Sequence, residues 1–469
     1  MTRRPSASRG GDAGGDQRQR TSRSRRAERS FDVTTRNKTV LGGVALAAGI
    51  SLLAGACGSS SGSAAQSSGS GNSAGTAASS GSGSAVPAAN KKTITMLFGS
   101  SGPAETAAEN QAGKAFTKKT GIPVKVVAAA NLTQELEQDF AGSQPPNLFY
   151  LSPTLFQQYV SKGVLDAYGQ SLPNVNDFYP SLKSAFTYKG KLVCDPKDGG
   201  PLSLYINTAD WRAAGLTSAD YPTTWAQLAS DAKKLTTKKR VGLTMDPNES
   251  RMDAFLYQAG GSVFNTSQTK VTLDSSANVK ALGFLKGMLK AGSLAFPSAL
   301  NEAGGTDAFG AGKAAMVVTG NWLEGTMTAD YPKVKYTIQP LPAGPAGKNT
   351  TLTFTNCWGV PRSNDNLGGT IEFVKFLTSP AQELRFAKEF GPVPSLQTVK
   401  AQYLKAFPQN KAVLAGLSSG VPDISLAGST QALTAYNSAL AELATTSPSS
   451  ILRAAQTNLQ AVLTQDRSS

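Results

Sequence analysis

Three cysteines and no histidine set the reactive inventory of this 469-residue chain. Cys57 directly follows an apolar run of small residues over 40–56, itself preceded by an arginine-rich stretch. A basic start, an apolar middle and small residues up to the cleavage point describe an export signal, and a cysteine in the first mature position describes a thiol destined for lipid attachment. Leu52-Leu53-Ala54-Gly55-Ala56-Cys57 has the small residues that such a box needs, with Ala54 where leucine is usual. The alternative is an uncleaved anchor, because a run of this length is near the lower limit for crossing a bilayer. Arg25-Arg26 leaves the export route, general or twin-arginine, open. Cys194 and Cys357 then remain as an even pair. In an oxidising compartment they join as a disulfide, the alternative being two separate buried thiols. A bond between them closes a long loop, for which chain entropy gives at most about 5 kcal/mol of stabilisation.

The same inventory excludes several chemistries. Without histidine there is no Ser-His-Asp or Cys-His nucleophile, and the commonest zinc ligand is missing. Gly310-Ala311-Gly312-Lys313 has the outline of a phosphate loop, but Asp307 stands where its first glycine belongs and Ala314 where a hydroxyl should hold magnesium. Paired carboxylates can hydrolyse glycosides, yet nothing in the sequence marks out such a pair. No catalytic residue, cofactor or metal is expected. The formal charge of +15 points to an anionic partner only until the leader is removed: residues 1–56 hold eleven Lys and Arg against four Asp and Glu, which leaves +8. No motif that reads nucleic acid accompanies that excess, so nucleic acid is not an expected partner.

The elements that must position a site begin late in the chain. Residues 57–90 are almost wholly Ser, Gly and Ala and cannot bury enough surface to offset chain entropy, which predicts a disordered tether. Residues 91–469 exceed the size at which one core usually divides, so two lobes are expected. Strands over 93–97, 124–127 and 148–151 alternate with helices over 103–119, 133–140 and 153–162. This order predicts an α/β fold with a parallel sheet and helices on both faces, and places ligand contacts at the strands' carboxyl ends, at Ser100, Ser101, Asn131 and Ser152. A second α/β region spans about 202–339, with strands over 202–206, 241–245 and 314–318 and helices over 225–235, 252–259 and 279–291. Segments 371–377 and 381–390 and a helical tail to about 463 follow.

Several segments together resemble family 1 of the extracellular solute-binding proteins of ABC importers, the branch that includes maltose and oligosaccharide binders. They are Gly190-Lys191-Leu192-Val193-Cys194-Asp195-Pro196-Lys197-Asp198 with Leu204-Tyr205-Ile206-Asn207, then Phe309-Gly310-Ala311-Gly312-Lys313-Ala314-Ala315-Met316 with Asn321-Trp322. Trp358-Gly359-Val360-Pro361, Phe373-Val374-Lys375-Phe376-Leu377 and Pro394-Ser395 complete the set in the family's order. The resemblance implies a bilobal type II periplasmic-binding fold, with one lobe of about 91–198 and 341–380 and the other of about 199–340 and 381–469. It also implies a monomer on the extracytoplasmic face of the cytoplasmic membrane, tethered through Cys57. Hinge closure on a carbohydrate and delivery to an ABC permease would follow.

Sugar recognition needs flat aromatic faces against pyranose C–H groups and planar polar groups against hydroxyls. Trp322 and Trp358 follow strands at positions expected to face the cleft, one from each lobe, and the resemblance puts a stacking tryptophan at the Trp322 segment, with core packing as the alternative for each. Glu249 and Arg251 are expected in a loop facing the solute, or as a mutual surface ion pair. Lys197 and Asp198 are candidates at the lobe crossing. Ser152 and Asn147 replace acidic residues frequent in sugar binders, which leaves sugar class and size open. A polyol phosphate, polyamine or osmolyte is the alternative solute, and a polyamine would require carboxylates clustered around aromatic rings.

Overall fold

In the computed structural model, which describes residues 86–468, β1 (Ile94–Phe98), β2 (Val124–Ala128) and β3 (Leu148–Leu151) form a parallel array. The expected leader, Cys57 and most of the expected tether lie outside the described residues. Further along are the short hairpin β4 (Thr187–Tyr188) and β5 (Lys191–Leu192), then β6 (Gly200–Asn207), β7 (Val241–Thr244) and β8 (Leu294–Ala295). The last strands are β9 (Ala314–Gly320), β10 (Tyr336–Gln339), β11 (Leu352–Phe354), β12 (Cys357–Gly359) and β13 (Val421–Pro422). Asn90 donates its backbone N–H to Asn366 Oδ1 at 3.1 Å, so the chain joins the folded part just before the expected start.

Local chemistry sets the helices that follow the first strands. α1 (Pro103–Thr120) opens with proline, whose missing N–H costs nothing there, and stops at Gly121 in the left-handed region. α2 (Leu132–Ala141) is capped by Asn131, which accepts from the Gln134 N–H, and α3 (Pro153–Ser161) by Ser152, which accepts from the Leu155 N–H. The first sheet has the order β2-β1-β3-β12, and β12 runs antiparallel to β3 although it lies far along the chain. A four-residue apolar strand such as β3, buried at every position, needs cover on both faces, which α1 and α3 help to supply.

The second sheet, of order β13-β11-β6-β9-β7-β8 with β10 also on β6, is mixed rather than parallel. β6 runs antiparallel to β9, β10 and β11, whereas β7 runs parallel to β8 and β9. β6 and β9 are buried along their whole lengths, with separate apolar clusters on their two faces. The helix expected over 252–259 spans Glu249–Gln258, so Glu249 and Arg251 occupy its first turn rather than a loop. Helix Pro380–Phe390, expected with the second lobe, packs on α1, and its Phe386 joins the first sheet's core. Among the described residues no helix is long and apolar enough to cross a membrane.

Three segments cross side by side between the sheets. The Lys197 N–H donates to the Asn356 carbonyl at 2.7 Å, and the Gly199 N–H to the Val393 carbonyl at 2.9 Å. Cys194 and Cys357 are joined there in a disulfide, with their Cα atoms 5.7 Å apart and both residues fully buried in the first core. Replacing both by serine is expected to cost about 2–5 kcal/mol in denaturant melts without changing solute affinity, because neither sulfur lines the cavity described next. Unchanged stability in that variant would remove the bond from the account of the fold.

Candidate functional site

A cavity of about 860 Å³ lies where the β1–α1 turn, the crossing segments and the turn after β9 meet. Its first wall is built on Lys197, which is buried although it carries a charge. The ammonium stands 2.5 Å from Asp198 Oδ2 and 3.4 Å from Glu105 Oε1, with Nζ 4.5 Å from the centroid of the Tyr150 ring. Two carboxylates and a π face therefore occupy its donor directions. Ser101 donates from both its N–H and its hydroxyl to Glu105 Oε2, each at 2.7 Å.

The Tyr150 hydroxyl lies 2.9 Å from Glu105 Oε1 and 2.6 Å from Glu109 Oε1. It has one proton for two carboxyls, and a proton on Glu109 supplies the second bond. Burial pushes Glu109 up to about 8, in agreement with that arrangement. Burial also acts upward on Glu105, but Lys197 and the Ser101 bonds outweigh it and hold that carboxyl below its usual range.

The second wall is built on Trp322, which is 43% exposed and directly follows β9. One glycine makes room for it: a Cβ at Gly320 would stand 2.0 Å from the indole, whereas one at Gly200 would press on Asn321 Oδ1 at 3.0 Å. Phe354 meets Trp322 edge to face at 5.4 Å, and the Arg251 guanidinium carbon lies 4.8 Å from the indole centroid. Arg251 Nη1 donates to the Ser250 carbonyl at 3.0 Å, and its Nε lies 3.8 Å from Asp246 Oδ2. The guanidinium is thus a shelf against the indole, and its ion pair is with Asp246 rather than Glu249. Glu324, Tyr403, Phe407 and Asn410 complete this side. Burial pushes Glu324 up to about 7.

The structure brings Ser101, Lys197, Asp198 and Trp322 to one cavity, with Arg251 against the indole. It places the other expected contacts elsewhere. Trp358 is only 1% exposed; it stacks edge to face on Tyr150 at 5.2 Å, and its carbonyl accepts from the Tyr168 hydroxyl. Pairing of β12 with β3 turns that indole into the core, which corrects its expected place in the cleft. Ser100 turns its hydroxyl to Thr106 Oγ1 and the Gly102 carbonyl, each at 2.7 Å. Asn131 and Ser152 commit their side chains to helix caps and do not line the cavity. Glu249 is buried, and its N–H donates to Asn437 Oδ1, away from the cavity lining.

Glu105, Tyr150, Glu324, Phe354, Tyr403 and Asn410 were not among the expected contacts. Glu105 had a local signal, an acid in the first turn after Gly99-Ser100-Ser101-Gly102. Tyr150, Tyr403 and Asn410 come from segments that carry none.

These carboxyls predict how stability varies with pH. Burial pushes Glu109 and Glu383 each up to about 8 and Glu324 to about 7, and it acts in the same direction on Asp195 and Asp253. Between their ordinary values and these raised ones the folded chain holds protons that the unfolded chain releases, so stability falls as pH rises through that window. Glu105 acts oppositely, and its contribution is lost on acidification below the usual carboxylate range. The thermal midpoint is therefore expected to be higher near about pH 5.5 than near about pH 8. A midpoint that rises across that interval would contradict the buried protonated carboxyls.

The family model for bacterial extracellular solute-binding proteins matches residues 111–415. A putative binding protein of Brucella abortus is 24% identical over 330 residues, covering 66% of this chain and 77% of the relative. The sn-glycerol-3-phosphate-binding periplasmic protein of Escherichia coli K12 is 21% identical over 253 residues, covering 51% of this chain and 56% of its own. Among solved structures, an ABC substrate-binding protein of Listeria monocytogenes in complex with cycloalternan is 24% identical with a TM-score of 0.68, covering 79% of this chain and 98% of that one. A cyclic α-maltosyl-1,6-maltose binding protein of Arthrobacter globiformis is 19% identical with a TM-score of 0.71, covering 80% and 99%. These are binding proteins rather than enzymes, and the likeness over nearly their full lengths shows the type II periplasmic-binding fold. The chain belongs to the bacterial extracellular solute-binding proteins, a family of extracytoplasmic ABC-transporter components.

Proposed function

We propose that this protein is the carbohydrate receptor of an ABC importer, held outside the cytoplasmic membrane by a lipid on Cys57 and a tether over 57–90. One lobe carries the first sheet with helix Pro380–Phe390, and the other carries the second sheet. A solute between them makes contacts to both in the closed form and fewer in the open one, and that difference shifts the population toward closure. The closed form is the state that the permease subunits receive.

The observation that carries this reading is the partly exposed indole of Trp322 on a cavity wall otherwise rich in carboxylates and amides. A flat apolar face beside bidentate acceptors is the combination that a pyranose ring requires. Solved relatives hold cycloalternan and maltotetraose, which supports the same class. A relative from Mycobacterium tuberculosis holds glycerophosphocholine. A phosphate, however, needs a free cation in the wall, and Lys197, the one cation among the lining residues described, is committed to Glu105 and Asp198. The test is a thermal-shift screen of the purified protein against mono- and oligosaccharides, polyols, glycerol 3-phosphate and polyamines, since cleft ligands stabilise by mass action. A shift with a sugar class supports the reading. A shift with glycerol 3-phosphate alone would replace it.

A further inference from the structure

The described chain begins at the end of the first lobe opposite the cavity. A Cβ at Gly368 would stand 2.2 Å from the Pro87 carbonyl oxygen, so residues 87–90 run across the first turn of helix Leu367–Leu377 before β1 begins. Lysines gather around this point. Lys91 Nζ donates to the Thr120 carbonyl at 2.6 Å, in the last turn of α1, which also carries Lys118 and Lys119. Lys119 Nζ lies 6.0 Å from the centroid of Phe376, the neighbour of Lys375. Lys92 lies 3.3 Å from Asp365, and Lys125 pairs with Thr95 in the β1–β2 register. All six lysines are exposed. Segments 90–92, 114–125 and 365–376 together hold seven lysines and two acids, a net of +5 against +8 for the whole of residues 57–469.

α1 fixes where this face points. Glu105 in its first turn stands on the cavity wall and Lys118 in its last turn on the lysine face, which the helical rise sets about 20 Å apart. The parallel strands agree: Gly99 and Ser101, beyond the carboxyl end of β1, line the cavity, whereas Lys92 and Lys125 stand at the amino ends of β1 and β2. Clustered lysines without counterions repel one another, and a surface of fixed phosphates relieves that repulsion within a Debye length. A Ser/Gly/Ala coil over 57–89 has a root-mean-square span of about 30 Å, so a chain anchored at Cys57 holds this face, more than any other, near the lipid. We propose that the lysine face docks on anionic phospholipid headgroups and rests the receptor on the membrane with its cavity turned outward; this rests on the tethered reading above. The other lysine-rich run, 233–240, belongs to the second lobe, and two of its cations are paired, Lys234 with Asp231 and Arg240 with Asp210.

The test is co-sedimentation with vesicles of the chain from residue 57 onward carrying Cys57→Ser, which keeps every described residue and has no lipid of its own. It is expected to sediment with vesicles of equal parts phosphatidylglycerol and phosphatidylcholine, to be released by added salt, and to ignore vesicles of phosphatidylcholine alone. Lys118→Glu/Lys119→Glu/Lys375→Glu is expected to weaken binding at least about tenfold, and Lys233→Glu/Lys238→Glu/Lys239→Glu, the same charge change on the second lobe, to stay within about twofold. Melts check both folds, and the corresponding Lys→Gln set serves if the first variant does not fold. No sedimentation with the anionic vesicles, or an equal loss in both variants, overturns the docking face. The mass of Cys57 in the membrane fraction of an expressing bacterium tests the tether separately. Vesicle binding with an unmodified Cys57 keeps the face and overturns the tether, and a lipidated Cys57 without vesicle binding does the reverse.

Discussion

Exchanging Lys197 for methionine is expected to lower folding stability by about 3–5 kcal/mol, because it leaves buried charges without their counterion. Glu105 and Asp198 both rest on this ammonium, and Glu109 lies just behind through Tyr150. Methionine matches the stem closely enough that packing changes little, so the loss reports the charge. With Lys197 gone, the positive charge that helps hold Glu105 below its usual range is removed, and burial then pushes its pKa upward. The gap between the variant and the unsubstituted protein should therefore narrow as pH falls toward about 4.5. Urea melts at two pH values measure both effects. A deficit under about 1 kcal/mol at neutral pH would show that the buried network is not held by its cation.

Trp322→Ala is expected to weaken sugar binding at least about tenfold while the melting midpoint stays within a few degrees, on the scale of one lost stacking contact. The partial exposure of the indole explains the second half: removing it deletes cavity wall rather than core. Its orientation is set from behind by Arg251 and from the side by Phe354. Gly320→Ala provides an independent check, since the new Cβ would fall 2.0 Å from the ring and force the indole out of its seat while leaving it in the protein. A comparable loss of affinity in both variants, read by calorimetry, identifies the placed ring as the contact. Undiminished affinity in Trp322→Ala would remove the site from this wall.

The contrast between Trp322 and Trp358 shows where sequence reading succeeds and where it stops. Both follow or lie in short apolar strands, and both sit in segments that resemble the family. Which of them reaches the cavity depends on β12 pairing with β3 and on Gly320, which clears a seat for Trp322, facts of tertiary register. The β1–α1–β2–α2–β3–α3 run was legible because proline, glycine and capping side chains mark each boundary. Those same caps explain the misses at Asn131 and Ser152, since a residue at a strand's carboxyl end can serve the following helix instead of a ligand. Lys197 and Asp198 were legible from the crossing segment. Tyr150 was not, because its hydroxyl matters only through Glu105 and Glu109 on α1.

The pairing of β12 with β3 also bears on how the chain assembles. The outer edge of β3 is covered by Cys357–Gly359, so the first sheet, although its parallel strands come first, cannot finish until most of the polypeptide is present. Strands β6 through β10 pair among themselves and need no residue beyond Gln339. As the chain folds from its N-terminal side, the middle segment can therefore consolidate while β3 still presents an open edge, the kind of edge that invites pairing between molecules. Long-range closure of this type is slow, and the exposed interval is when a chaperone that shields strand edges would have the greatest effect on yield.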